Sequence, residues 1–141
     1  MDRPTEMVQR LVHATNTKDI EALVDCFDTD YVNETPSHPA RSFRGRAQVR
    51  RNWEQIFEFV PDVHVEVLRC TVNGDVAWTE WDMRGTRRDL TAHHLCGVIL
   101  FVVRDGRAVS ARFYLEPVDE DGSTVHDAVS SQVVRESGDA S

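Results

Sequence analysis

The 141-residue sequence predicts an α+β fold in which a strongly curved antiparallel sheet wraps three N-terminal helices. Two observations carry this. Ahead of the tail, apolar residues recur at helical spacing only up to about position 60, whereas from Val63 to Pro117 they alternate or run in strand-length blocks. Within those blocks Asn73-Gly74 and Asp105-Gly106 are strong hairpin signals, so successive strands turn back on one another.

Thr5 is placed to cap a first helix that carries Met7, Val8, Leu11 and Val12 on one face and ends near Asn16. Ile20, Leu23, Val24 and Phe27 follow i, i+3, i+4, i+7 spacing, a second helix broken at Asp28-Thr29-Asp30. Tyr31 to Thr35 reads as a short strand. Pro36 and Pro39 then forbid regular pairing, leaving a loop that carries His38 and the first arginines. The third helix starts after Gly45 and stops at Pro61, with Val49, Trp53, Ile56, Phe57 and Val60 on one face and Arg50, Arg51, Glu54 and Glu58 on a solvated one.

Val63, Val65 and Val67 alternate with polar positions, and Asn73-Gly74 returns the chain as Val76 to Arg84. After a polar connection, two long strands from Thr91 to Pro117 are joined by Asp105-Gly106, a pair suited to the positive φ values of a type I′ turn. Beyond Ser123-Thr124, Val125, Ala128, Val129 and Val133 sit at helical spacing but are too weakly apolar to hold a helix alone. The chain divides into a folded domain over about 6–118 and an acidic tail over 119–141.

One domain of this length buries about two-thirds of its unfolded surface, so neither metal nor disulfide is required. Cys26, Cys70 and Cys96 are odd in number and lie in apolar runs, which reads as buried thiols in a reducing compartment. The start MDRPTEM has no basic flank leading into an apolar core, and no apolar run approaches a membrane span, so a cytoplasmic location is expected. Net charge is −8, of which residues 116–141 hold −6 (seven acids against Arg135). Five arginines fall between Arg41 and Arg51 without an acid, yet an acidic chain lacking further basic segments excludes a nucleic-acid surface.

Two helices, a short strand, a Pro-rich loop closed by F-R-G-R, a helix ending in Pro61, and a meander ending R-D-G-R…A-R-F-Y-L-E together resemble the SnoaL-like branch of the nuclear transport factor 2 like superfamily. The resemblance implies a cone of sheet and helix, a cystatin-like α+β barrel, around a mostly apolar cavity. It also implies a homodimer formed through the outer face of the sheet. Family members include polyketide cyclases, isomerases and an epoxide hydrolase. Carried over residue by residue, the Arg-x-Asp pair of the limonene epoxide hydrolase type falls on Trp81 and Met83, and its last acid on Phe113. The Tyr and Asn that hold its attacking water fall on Asn33 and Thr35.

Strand alternation puts Ala77, Thr79, Trp81 and Met83 on one face, which the resemblance places inside. The buried Trp81 indole then needs an acceptor, from a ligand or from Asn33, and Trp53 reads as core ahead of cavity wall. His93 and His94 point to opposite strand faces, which excludes a metal site built on that pair, and no other metal or cofactor signature is present. Counting from the hairpin places His93 beside Leu95, Gly97 and Ile99 facing the cavity, the one imidazole placed as a general base; a bulge at Gly97 would reverse that parity. On the last strand either Ala111, Phe113 and Leu115 face inward, or Arg112, Tyr114 and Glu116 do. The expected site is therefore catalytic His93, Asn33, Tyr114 and Glu116, with Trp53, Trp81, Met83, Phe113 and Thr35 holding a small lipophilic ligand. Cyclisation or isomerisation by acid/base catalysis, or binding without turnover, are the two functions this supports.

Overall fold

The computed structural model describes residues 3–134. Helix α1 (Pro4–Asn16) and helix α2 (Ile20–Asp25) pack Met7, Val8, Leu11 and Leu23 into one core. Thr5 does not cap α1. The helix begins at Pro4, where a missing N–H costs nothing, and the Glu6 carboxylate accepts from the Arg3 backbone N–H at 3.4 Å. At the other end Asn16 holds both the N–H and the carbonyl of Val65 (2.8 and 2.9 Å), so a helix terminus covers an otherwise unpaired strand edge.

Six strands follow: β1 (Phe27–Glu34), β2 (Phe43–Arg44), β3 (His64–Asn73), β4 (Val76–Thr86), β5 (Ala92–Arg104) and β6 (Arg107–Pro117). Their order is β2-β1-β6-β5-β4-β3 in one curved sheet whose outer strands do not pair with each other. The expected sheet is antiparallel throughout; here β1 runs parallel to β6, with Asn33 opposite Ala111. Phe27 opens β1 rather than closing α2, because its ring is buried against Tyr31 (centroids 4.8 Å). The Asp28-Thr29-Asp30 run lies inside the strand, where pairing with β6 shifts register. Helix α3 (Arg46–Phe59) follows Gly45 as expected, with Arg50 paired to Glu21 at 2.7 Å rather than to Glu54.

The meander keeps the predicted order with three local differences. The first hairpin turns on Gly74-Asp75, one residue later than expected, since Asn73 pairs with Val76. Asp105 and Gly106 have φ of +52° and +77°, the predicted turn geometry. Gly97 makes no bulge: it pairs in register with Trp81 and Leu115. The register shifts come instead at Leu68 and Val109. Both leave the inward set Trp81, Met83, Phe101 and Ala111 intact. Gly97 is required for another reason. Its φ is +151°, and a Cβ there would sit 2.0 Å from the Tyr114 carbonyl oxygen.

Cys26 is buried, but Cys70 and Cys96 are exposed, contrary to the expectation of three buried thiols. Helix α4 (Val125–Val133) is capped by Thr124 and buries no residue. The tail's last residues, 135–141, lie outside the described residues. No helix among the described residues is long and apolar enough to cross a membrane.

Candidate functional site

A cavity of about 280 Å³ opens between the inner face of the sheet and α3. Each wall follows from a local rule. Strand alternation turns Met83 of β4, His93 and Leu95 of β5, and Phe113 and Leu115 of β6 to the same side. Helical spacing brings Val49, Asn52, Trp53 and Ile56 of α3 over them. Tyr31 and Asn33 of β1, with Thr35, Arg41 and Phe43 beyond it, form the remaining wall. Below lies a tighter void of about 40 Å³ where Trp81, Phe101 and Ile99 join Trp53, Met83 and Phe113. Larger depressions flank α1, one against β3 and one against α2, away from the inner face of the sheet.

The polar groups are few and placed. Tyr31 is fully buried, and burial pushes its phenol far above the ordinary range, so it keeps its proton. It donates to Asn33 Oδ1 at 2.7 Å. Asn33, itself buried, turns its Nδ2 to Thr35 Oγ1 at 3.4 Å. Across the cavity wall, Asn52 Oδ1 accepts from Gln48 Nε2 at 2.7 Å. His93 is half-buried with Nε2 3.3 Å from the Met83 sulfur. Burial, and then the charge of Arg87, hold its pKa below the ordinary histidine value, so the imidazole is neutral at pH 7. No carboxylate is among the residues lining the cavity.

Seven of the nine expected site residues meet here: His93, Asn33, Thr35, Trp53, Met83 and Phe113 line the cavity and Trp81 lines the inner void. Tyr114 and Glu116 do not. The inward set on β6 is Ala111, Phe113 and Leu115, which sends Tyr114 and Glu116 to the outer face. There Glu116 meets His38 at 2.8 Å and fastens the 35–42 loop to the end of β6. The Trp81 indole donates neither to a ligand nor to Asn33 but to Thr79 Oγ1 at 2.6 Å, and Thr79 passes a bond to the Ile99 carbonyl.

Tyr31 and Asn52 were not expected, and Arg41 belongs to the arginine loop that, with His38 and Glu34, read from sequence as a solvated loop or as a gate for an anionic substrate. Tyr31 and Asn33 have the i, i+2 spacing that the resemblance carries to Asn33 and Thr35, so a two-residue shift of that alignment lands on the pair the structure bonds. His94, the outward partner of His93, contacts Asp82 at 2.8 Å; that hydrogen bond, with help from Arg84, holds the Asp82 carboxyl below its ordinary value. The described residues hold no group of three or more histidine, cysteine or acidic side chains arranged to take a metal.

Comparison with solved structures places this architecture among known ones. Wild-type IdmH of Streptomyces antibioticus, a candidate polyketide cyclase, is 23% identical with a TM-score of 0.71, over 82% of this chain and 93% of that one. Its variant truncated in the 96–104 loop is 25% identical (TM-score 0.68, 81% and 93%). An LEH-like epoxide hydrolase of M. tuberculosis is 18% identical with a TM-score of 0.69 over 80% and 82% of the two chains. No curated protein sequence matches. The family model for the SnoaL-like domain matches residues 8–111, well over half of the sequence, and the chain belongs to that family.

Proposed function

We propose that the cavity takes a small lipophilic cyclic or aromatic compound of the polyketide-like kind and catalyses proton transfer at a carbon next to a carbonyl, as in cyclisation or isomerisation. The observation that supports it most is a neutral imidazole, His93, in an otherwise apolar cavity that also presents the Asn33 amide. An uncharged imidazole at neutral pH accepts a proton without first losing one. The Asn33 N–H is available to the oxygen on which negative charge develops. The chemistry calls on no cofactor.

His93→Gln keeps a polar side chain of similar reach but removes the basicity. Once a substrate is found, by thermal-shift screening of cyclic ketones and aromatic polyketide-like compounds, turnover by this variant is expected to fall by roughly 10²-fold or more with little change in affinity. Turnover at the native rate would make His93 structural. A second reading, binding without turnover, draws support from the absence of any lining carboxylate; there only affinity would move.

The same reading includes a homodimer through the outer face of the sheet. Trp78 is 51% exposed there, beside Val98, Leu100 and Tyr114, an apolar area that association would cover. Sedimentation at micromolar concentration should show a dimer, and a monomer would refute it.

A further inference from the structure

The reading of the cavity as a small-molecule site leaves the chemistry of its polar end open, and the hydrogen bonds around that end narrow it. Two amides line the cavity, and each has its carbonyl oxygen already engaged. Asn33 Oδ1 accepts from Tyr31, and Asn52 Oδ1 accepts from Gln48. What the amides have left are N–H donors, both on Asn52 and one on Asn33, whose other N–H points to Thr35 Oγ1 at 3.4 Å. Reversing the Asn33 amide would remove the acceptor from a fully buried phenol that has kept its proton, so the Tyr31 bond fixes its orientation.

Arg41 adds a charge of one sign. It lines the same cavity from the short 3-10 turn Pro39–Arg41, and its guanidinium makes no hydrogen bond or ion pair among the described residues. Other arginines of the same run are committed: Arg46 to the Phe27 carbonyl, Arg50 to Glu21, Arg51 to Gln48. Arg41 is solvent-exposed where it lines the cavity, and a guanidinium there, with no lining carboxylate to neutralise it, is matched to an oxyanion and mismatched to a cation. Trp53, Phe113, Leu115 and Met83 supply the apolar lining, with the His93 imidazole beside the Met83 sulfur.

We infer that the natural ligand is an acid: a compact apolar ring system bearing a carboxylate or comparable anionic oxygen, bound with that group toward Arg41, Asn33 and Asn52 and the rings toward Trp53 and Phe113. At interior packing density, about 0.74, a cavity of about 280 Å³ holds roughly 200 Å³ of atoms, which suits two fused rings with a substituent. This rests on the cavity being a small-molecule site, and the test separates the two ideas.

Three probes of one shape decide it: 2-naphthoate, 2-naphthamide and 2-naphthylmethylamine, titrated by calorimetry at pH 7 into the wild-type chain, Arg41→Gln and, as a surface control, Arg112→Gln. Naphthoate should bind at least 10-fold more tightly than naphthamide, with the amine weakest. Arg41→Gln should abolish most of that preference while leaving naphthamide affinity within twofold, and Arg112→Gln should change nothing. Equal or tighter binding of the amide or amine, or a preference for naphthoate that survives Arg41→Gln, overturns the inference while leaving the small-molecule reading standing. If no probe binds the wild type, both fall.

Discussion

Gly97→Ala should be the most damaging small substitution in this chain. The added Cβ would lie 2.0 Å from the Tyr114 carbonyl oxygen and 2.9 Å from Leu115 Cα, both backbone atoms on a paired strand. A side chain could swing aside, but a strand can give way only by parting from its neighbour. Parting β5 from β6 breaks the ladder in the middle of the sheet and tilts Phe113 and Leu115 away from the cavity. The φ of +151° adds a backbone strain that glycine alone avoids. A loss of at least about 3 kcal/mol is expected, which thermal denaturation would register as a drop of roughly 10 °C. Gly74→Ala is the control. It also has positive φ, at +63°, but nothing lies within 4 Å of its Cβ, so only conformational strain remains. Equal melting temperatures for the two variants would show that the close approach of β5 and β6 does not matter.

Phe113→Asp should come next, with a dependence on pH that identifies its cause. The Phe113 ring stacks edge-on against Phe101 (centroids 6.4 Å, planes at 77°) and separates the cavity from the inner void. Removing it loses apolar contact worth about 3 kcal/mol or more, and the new carboxyl would be held where ionisation is unfavourable. Its folded-state pKa is therefore expected to rise above the unfolded value of about 3.9. Below that unfolded pKa the group is neutral in both states and the charge penalty vanishes. Between the two pKa values the unfolded chain ionises first, so stability falls as pH rises, and above the folded pKa the full penalty applies. The gap in melting temperature between wild type and variant should thus widen from pH 4 to pH 7. Phe113→Asn, which loses the same ring without a titrating group, should show a constant gap. Matching pH profiles for the two variants would place residue 113 in water and remove it from the cavity.

Where local rules decide, the sequence was readable. Gly45 and Pro61 bracket α3, and β4 alternation separates Trp81 and Met83 from Trp78 and Asp82 without reference to any partner. His93 faces the cavity because the strand from the Asp105-Gly106 turn is unbulged at Gly97. What escaped depends on contacts between distant segments. The polar run Asp28-Thr29-Asp30 looks like a break, yet pairing with β6 carries the strand through it. Two residues of β2 are too short to leave a period. Cys70 and Cys96 have apolar neighbours in sequence, but both side chains emerge into solvent. The acceptor for Trp81 was within reach of strand alternation alone, since Thr79 is the preceding residue on the same face. Tyr31 could have been found the same way, two residues before Asn33. Tyr114 and Glu116 hinged on which alternate set of β6 turns inward, and the apolar set won because Ala111, Phe113 and Leu115 complete the core.

The parallel pairing of β1 with β6 has a kinetic consequence. Neighbours from β3 to β6 are joined by two-residue turns or one short connection, so that part of the cavity wall is encoded by contacts close in sequence. Asn33 finds Ala111 only by closing a loop of about two-thirds of the domain. Closing about 80 residues costs roughly 4 kcal/mol of chain entropy, and such a cost is recovered late, after the nearer hairpins have formed. The apolar wall should therefore assemble first and the Tyr31–Asn33 wall last. In native-state amide exchange, β1 should open at lower free energy than β4 and β5; uniform protection across the sheet would contradict this. Under the proposed function, recognition of a ligand's polar group would wait on the last step of folding, and a ligand that engaged Asn33 would act as a fastener on the strand that closes the domain.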